Sequence, residues 1–189
     1  MKLQKQKKPK AQTLRLADDH TWTAPEGYKI VMADRGIVIF NVPSEWEVTD
    51  FEPFTIRDKA VPDDTMGIQM SCWRLPKGVD WSGLPISTMV AEGTKVDKHQ
   101  TIIARGEIIV VPREDIELAW TEHHFLDKNE KREAYSRFAI GRGFDAQCLI
   151  TFSYWVEDVD VAQVVWAEVI RSLQLGQHIA NPLKGRTLH

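Results

Sequence analysis

The sequence predicts an α+β fold: a mainly antiparallel sheet covered by a C-terminal helix and by a second helix, forming an α/β/α sandwich. Three stretches carry that reading. Between residues 116 and 156, apolar and polar side chains alternate in three successive runs separated by polar or glycine-containing breaks, the period of strands with a buried face. Directly after them, Ala162, Val165, Trp166, Val169, Ile170 and Leu173 fall on one stripe at helical spacing. Upstream, Ile86, Met89, Val90 and Gly93 repeat that spacing over a shorter length. A half-apolar sheet needs a cover and an isolated amphipathic helix is marginal in water, so sheet and helices are expected to pack together.

In chain order, residues 28–33 and 37–42 read as short strands around Asp34-Arg35-Gly36, a good hairpin turn, and Pro43 ends the second. Trp46, Val48 and Phe51 alternate with Glu47 and Asp50 to give another strand, followed by one at 54–58. After a polar loop at 58–65, strand character returns over 66–75 through Ile68, Met70 and Cys72 until Pro76-Lys77-Gly78 stops it. Ser82 precedes the first helix, about three turns long, where Pro85 is tolerable only near the start. Residues 95–100 connect it to β-branched runs at 101–104 and 107–111, and Pro112 marks the second as edge-like.

In the closing stretch, 116–126 puts Ile116, Leu118 and Trp120 on one parity and Glu117, Ala119 and Thr121 on the other. The wholly polar 127–131 is a hairpin tip. Over 132–142, Ala134, Ser136, Phe138 and Ile140 oppose Glu133, Tyr135 and Arg137, with Gly141-Arg142-Gly143 expected to bend the chain. The run 146–156, with Cys148, Ile150, Phe152 and Tyr154, has the pattern of a central strand. Asp158 or Asp160 then caps the final helix, and Gly176 ends it.

A chain of 189 residues fits one core, since chains divide beyond roughly 250 residues. The division expected is a basic flexible tail at 1–21, a single α+β domain at 22–176 and a C-terminal tail at 177–189. The first fifteen residues carry six positive charges and no acid, so a net charge of -3 leaves -9 for the rest. Such a tail could touch nucleic acid, but it lacks aromatics for stacking on bases and reads as a solvated terminus, so nucleic acid is not the expected partner. No apolar run approaches the roughly 20 residues that span a bilayer. Without a secretory signal or lipid-anchor pattern, a bacterial, cytoplasmic address is expected. Cys72 and Cys148 are expected as buried, reduced thiols, with a single bridge left open.

Candidate chemistry is sparse. Glu122-His123-His124 offers metal-ligand types, yet adjacent strand residues point to opposite faces, so the two histidines cannot share an ion without a bulge. Asp58, Asp63 and Asp64 share one loop but lack EF-hand spacing, and turn capping competes with cation binding there. Gly141-Arg142-Gly143 lacks the other glycines of a dinucleotide loop. Serine nucleophile elbows, paired zinc-site cysteines and HExxH are absent, and Glu107, Glu114 and Glu117 read as solvated positions. No catalytic residue, metal or cofactor is therefore assigned. Trp155 and Leu149 share the parity opposite Ile150 and Phe152, so an open face there would present an apolar patch. The first helix, whose stripe has no other home, is expected to cover it. Leu149, Trp155, Asp63 and Asp64 are the candidate binding residues.

The opening Ile37-Val38-Ile39-Phe40-Asn41-Val42-Pro43-Ser44-Glu45-Trp46 holds a Phe-x-x-Pro-x-x-Trp pattern, and the chain closes with a strand leading straight into a terminal helix. This opening and element order resemble the PsbP, Mog1 and DcrB group of small α/β/α sandwiches over residues 37–173. The resemblance implies a binding role and not one activity. It transfers no site residue. The function expected is a non-catalytic binding or accessory domain engaging a protein partner. The alternative is a small-molecule binder or enzyme of helix-grip type, with an apolar cavity lined by Phe138, Phe152 and Trp166.

Overall fold

The computed structural model describes residues 11–51, 53–76, 78–94 and 100–185. Among these residues, eleven strands and two α-helices follow in order: β1 Tyr28–Ala33, β2 Val38–Pro43, β3 Glu47–Phe51, β4 Phe54–Arg57, β5 Met66–Arg74, α1 Ile86–Gly93, β6 Gln100–Arg105, β7 Ile109–Val111, β8 Glu117–Asp127, β9 Arg132–Gly143, β10 Ala146–Trp155, α2 Val159–Ser172 and β11 Gln174–Leu175. The large antiparallel sheet has the order β3-β4-β5-β10-β9-β8-β6, with β7 also on β8, and the small one is β1-β2-β11. Helix α1 lies on one face of the large sheet, and α2 with the small sheet lies on the other. The architecture is thus the expected α+β sandwich.

The α2 side holds the main core. Cys148, Ile150 and Phe152 of β10 point into it, and Phe152 meets Trp46 and Trp166 with ring centroids 5.9 Å away in each case. Ala162, Val165, Trp166, Val169 and Ile170 form the buried stripe of α2 that the sequence spacing requires, and Leu173 is buried just beyond it. At about 1.5–3 kcal/mol for each large apolar side chain removed from water, this contact outweighs any surface ion pair. Polar bonds then set the helix against β2: Ser172 Oγ accepts from the Asn41 N–H at 2.8 Å, and Asn41 Nδ2 donates to Glu168 Oε1 at 2.7 Å.

Several local expectations change. Helix α1 has eight residues, about two turns, because Pro85 occupies its N-cap and cannot sit deeper. Gly141 and Gly143 do not bend the chain; they are inside β9, and the turn falls at Phe144-Asp145, with Phe144 at φ 55. The glycines serve close packing instead: a Cβ on Gly143 would lie 2.5 Å from Ile116 Cγ2. Strand β8 is buried on both faces, with Leu118 and Ala119 fully enclosed, because α1 covers the side expected to be wet. In β9 the parity carrying Tyr135, Arg137 and Ala139 shares the main-core face, so the buried side includes a charge.

Parts of the segments expected as tails meet each other. The Ala17 and Thr21 amides donate to Leu183 O and Lys184 O, both at 2.8 Å, and Trp22 Nε1 donates to Pro182 O at 2.9 Å. Of the connector expected at 95–100, Gln100 begins β6, and 95–99, like the lysine-rich 1–10, lie outside the described residues. Cys72 and Cys148 face each other across β5 and β10 as free thiols, and burial pushes the Cys148 thiol up to about 12.

Two outcomes follow from this packing. Trp166→Ala should cost about 3–5 kcal/mol in urea unfolding, through the cavity left under α2. The second concerns acid: Arg171, foremost, and Asn41 hold the Glu168 carboxyl below its ordinary 4.5. A depressed folded value gives stability that is full above about pH 4.5 and lost as pH falls through that lower value. Glu168→Gln should therefore melt below wild type at neutral pH, with the gap closing on acidification.

Candidate functional site

Helix α1 covers only one end of its sheet face. Ile86 and Val90 seal Ala119 and Ile140 there, joined by Met89 and Phe138. Gly93 permits the close approach, since a Cβ on it would lie 2.7 Å from Phe138 Cζ. Buried Arg142 fastens the lead-in to the helix, donating from Nε to Glu117 Oε2 at 2.6 Å and from Nη2 to Leu84 O at 2.9 Å.

Beyond the helix, the same face opens into a groove of ≈ 240 Å³ across β4, β5, β10 and β9. The antiparallel register aligns its floor: Thr55, Gln69 and Thr151 form one row, and Arg57, Gly67, Ser153 and Ser136 form another. Gly67 leaves a gap in the second row, over which Arg57 reaches toward Asp64 on the groove wall. Trp155 closes one end, half-buried, with the Arg132 guanidinium 4.5 Å above its ring and Glu157 paired to Arg132. The groove thus presents hydroxyls and an amide on its floor, the Trp155 face at one end, and the Arg57–Asp64 pair and the Asp127 carboxylate in its walls.

Of the four candidate binding residues, the structure brings Trp155 and Asp64 together. Asp64 owes its place to Asp58, whose carboxylate accepts from the amides of Thr65 and Met66 and from the Thr65 hydroxyl, each at 3.0 Å, folding the loop back. Asp63 sits on an exposed turn closed by its own N–H to Ala60 O at 2.9 Å. Leu149 pairs with Ile140 toward the α1 end of the sheet, six residues along β10 from Trp155 and so roughly 20 Å away. The two do not form one patch.

The opposite face carries a polar group that the sequence reading missed. Arg137, 4% exposed, donates from Nε to Glu122 Oε2 at 2.5 Å, and the Tyr154 hydroxyl donates to the same oxygen at 2.6 Å. The guanidinium lies 5.4 Å from the Trp120 ring centre and 5.3 Å from that of Tyr154. Burial, together with the Glu122 carboxylate, pushes the Tyr154 phenol well above its ordinary value, so it stays a neutral donor. Each member is committed to another, which suits structure better than turnover. His124 and His123 fall on opposite faces, as alternation requires: His124 bonds Glu133 at 2.9 Å and stacks on Tyr135, whereas His123 lies 3.5 Å from Arg105. Burial, then Arg105, holds His123 below its ordinary value.

A sequence signal for the missed pairs did exist. Glu117, Glu122 and Asp127 are mirrored by Arg142, Arg137 and Arg132 about the 127–131 turn, and the register sets each acid opposite its arginine. The apolar cavity expected between Phe138, Phe152 and Trp166 does not exist. Phe152 and Trp166 stack inside the core and Phe138 is on the α1 side.

A family model described as Alr1449 matches residues 29–179. The chain belongs to the Alr1449 family. Protein alr1449 of Nostoc sp. (strain PCC 7120 / SAG 25.82 / UTEX 2576) is 41% identical to this chain over 179 residues, covering 92% of it and 91% of the relative. Among solved structures, cyanobacterial PsbP (CyanoP) of Synechocystis sp. PCC 6803 superposes with a TM-score of 0.55 at 11% identity, over 81% of this chain and 95% of that one. LpqN, described as involved in cell envelope biogenesis of Mycobacterium tuberculosis, gives 0.52 at 9% identity over 79% and 91%. The Ran-binding protein Mog1p of Saccharomyces cerevisiae gives 0.50 at 10% identity over 83% and 98%. This member of the Alr1449 family therefore has a PsbP/Mog1-like fold, as the Phe-x-x-Pro-x-x-Trp opening and element order implied. Among its described residues no helix is long and apolar enough to cross a membrane.

Arg137→Ala should destabilise the protein by about 3 kcal/mol in urea unfolding, at the low end for a broken buried pair because Glu122 keeps some solvent. Adding Glu122→Leu should recover part of that loss, since it removes the unpaired carboxylate but leaves the buried Tyr154 hydroxyl without its acceptor.

Proposed function

We propose that this chain is a non-catalytic binding module that holds an extended segment of a partner protein in the groove between Trp155 and the Arg57–Asp64 rim. One observation carries the reading: α1 seals half of a sheet face and leaves the other half open, with an aromatic side chain at its end. The floor hydroxyls of Thr151 and Ser153 and the Gln69 amide are suited to the main-chain groups of an extended peptide. Trp155, already flattened under Arg132, offers a rigid surface for one apolar side chain. The Arg57–Asp64 pair is internally neutral and Asp127 adds a carboxylate, so the lining disfavours a strongly acidic segment. Mog1p, which shares the fold, is described as Ran-binding, and the same scaffold in a binding role supports the assignment. The working unit is a single domain over 22–176, onto which 17–21 and 179–184 also pack. The free thiols Cys72 and Cys148 favour a reducing, cytoplasmic address.

A photo-crosslinking amino acid at Ser153 should give a discrete protein adduct in cells, whereas the same group at exposed Val164 on α2 should not. With the adduct identified, Trp155→Ala should weaken its binding by about 2 kcal/mol, roughly 30-fold in Kd, without shifting the melting temperature. Equal labelling at both positions, or none at Ser153, would count against the groove.

A further inference from the structure

Both edges of the large sheet carry a register break, β3 against β4 and β6 against β8 between Ile102 and Ala104, but their exposed side chains differ. Edge strand β3 carries the charged Glu47. Along the other edge, β6 and β7 both pair with β8, joined by 106–108, which belong to no strand and add one residue to the edge (Arg105 opposite His123, Ile109 opposite Trp120); this stretch exposes Ile103 (50%), Ile109 (45%) and Val110 (58%), with Ile108 also exposed. Four branched apolar side chains within eight residues of an outer edge are costly to leave in water.

Gly106, at the join, is held inward. Its N–H donates to Glu122 O at 2.7 Å, its C=O accepts from Thr121 Oγ1 at 3.0 Å, and a Cβ there would lie 2.8 Å from Glu122 O. In an extended chain, the residues flanking one whose main-chain groups face a neighbour strand turn their own toward the free edge. Those residues are Arg105 and Glu107, opposite in charge and two apart.

We propose that this edge pairs with the same edge of a second copy of the chain, antiparallel about a two-fold axis at Gly106. Such pairing is self-complementary. Arg105 of each copy, whose Nη1 also donates to Thr94 O of its own chain at 2.9 Å, meets Glu107 of the other, the exposed Ile109 and Val110 flank the contact, and the two large sheets become continuous. A partner of unrelated sequence would have to supply both the apolar set and the reversed charge order, whereas a second copy has both. Charge order and exposure favour a second copy, independently of the groove.

The test is charge exchange on the full chain, read by sedimentation velocity over a range of concentrations, with thermal melts confirming that each variant folds. Wild type should dimerise reversibly. Glu107→Arg alone places four arginines at the axis and Arg105→Glu alone places four glutamates, so each should dimerise at least tenfold more weakly. Mixed one to one, the two variants restore every opposite-charge pair and should form a heterodimer. Val110→Lys should leave a folded monomer. A wild type that stays monomeric at the highest concentration, single variants that dimerise as wild type does, or a mixture that fails to associate would each overturn the proposal.

Discussion

Everything in this fold depends on Trp166 lying against Phe152. The contact joins the last helix to the strand at the centre of the large sheet, and Trp46, from just after β2, reaches the same phenylalanine from the small-sheet side. One aromatic ring therefore ties together the three parts of the main layer. Because β10 is buried on that side for its whole length, the sheet on either side of it is positioned by its central member. The groove inherits its rigidity from this arrangement, since its floor residues Thr151 and Ser153 are the reverse side of the strand that carries Phe152.

The sequence made the main layer legible for a simple reason. Where one face of an element meets a single apolar neighbour, the pattern of side chains is a direct record of burial, as in α2 and in the even positions of β10. The pattern failed where an element has neighbours on both sides. In β8 the alternation of Leu118 and Ala119 suggested one dry and one wet face, but a small side chain under α1 is as buried as a large one under α2. Gly141 and Gly143 misled for a related reason: glycine marks a turn and a tight contact alike, and periodicity cannot distinguish them.

The groove was half legible. Trp155 stood out as an aromatic on the wrong parity, and Asp64 as part of an acidic loop, yet nothing in their spacing said that a loop between β4 and β5 would fold over the end of β10. That proximity is created by strand order, which places β5 beside β10 although some eighty residues separate them in the chain. The short span of α1 was also decisive. Pro85 fixes where the helix starts, Gly93 meets Phe138 at its end, and two turns cannot cover a strand of ten residues.

The mirrored acids and arginines of the β8–β9 hairpin have a consequence for how the chain finds its alignment. Glu117 and Arg142 lie on one side of the sheet, and Glu122 and Arg137 on the other. Sliding one strand past the other by a single position would turn both arginines to the wrong side and strand each without its acid, in surroundings where an uncompensated cation is very costly. The hairpin therefore has a two-sided ratchet: apolar side chains could tolerate a misaligned collapse, but the ionic pairs cannot. Correct alignment is thus tied to the burial of both arginines under the two helices, at the longest pairing among the described residues.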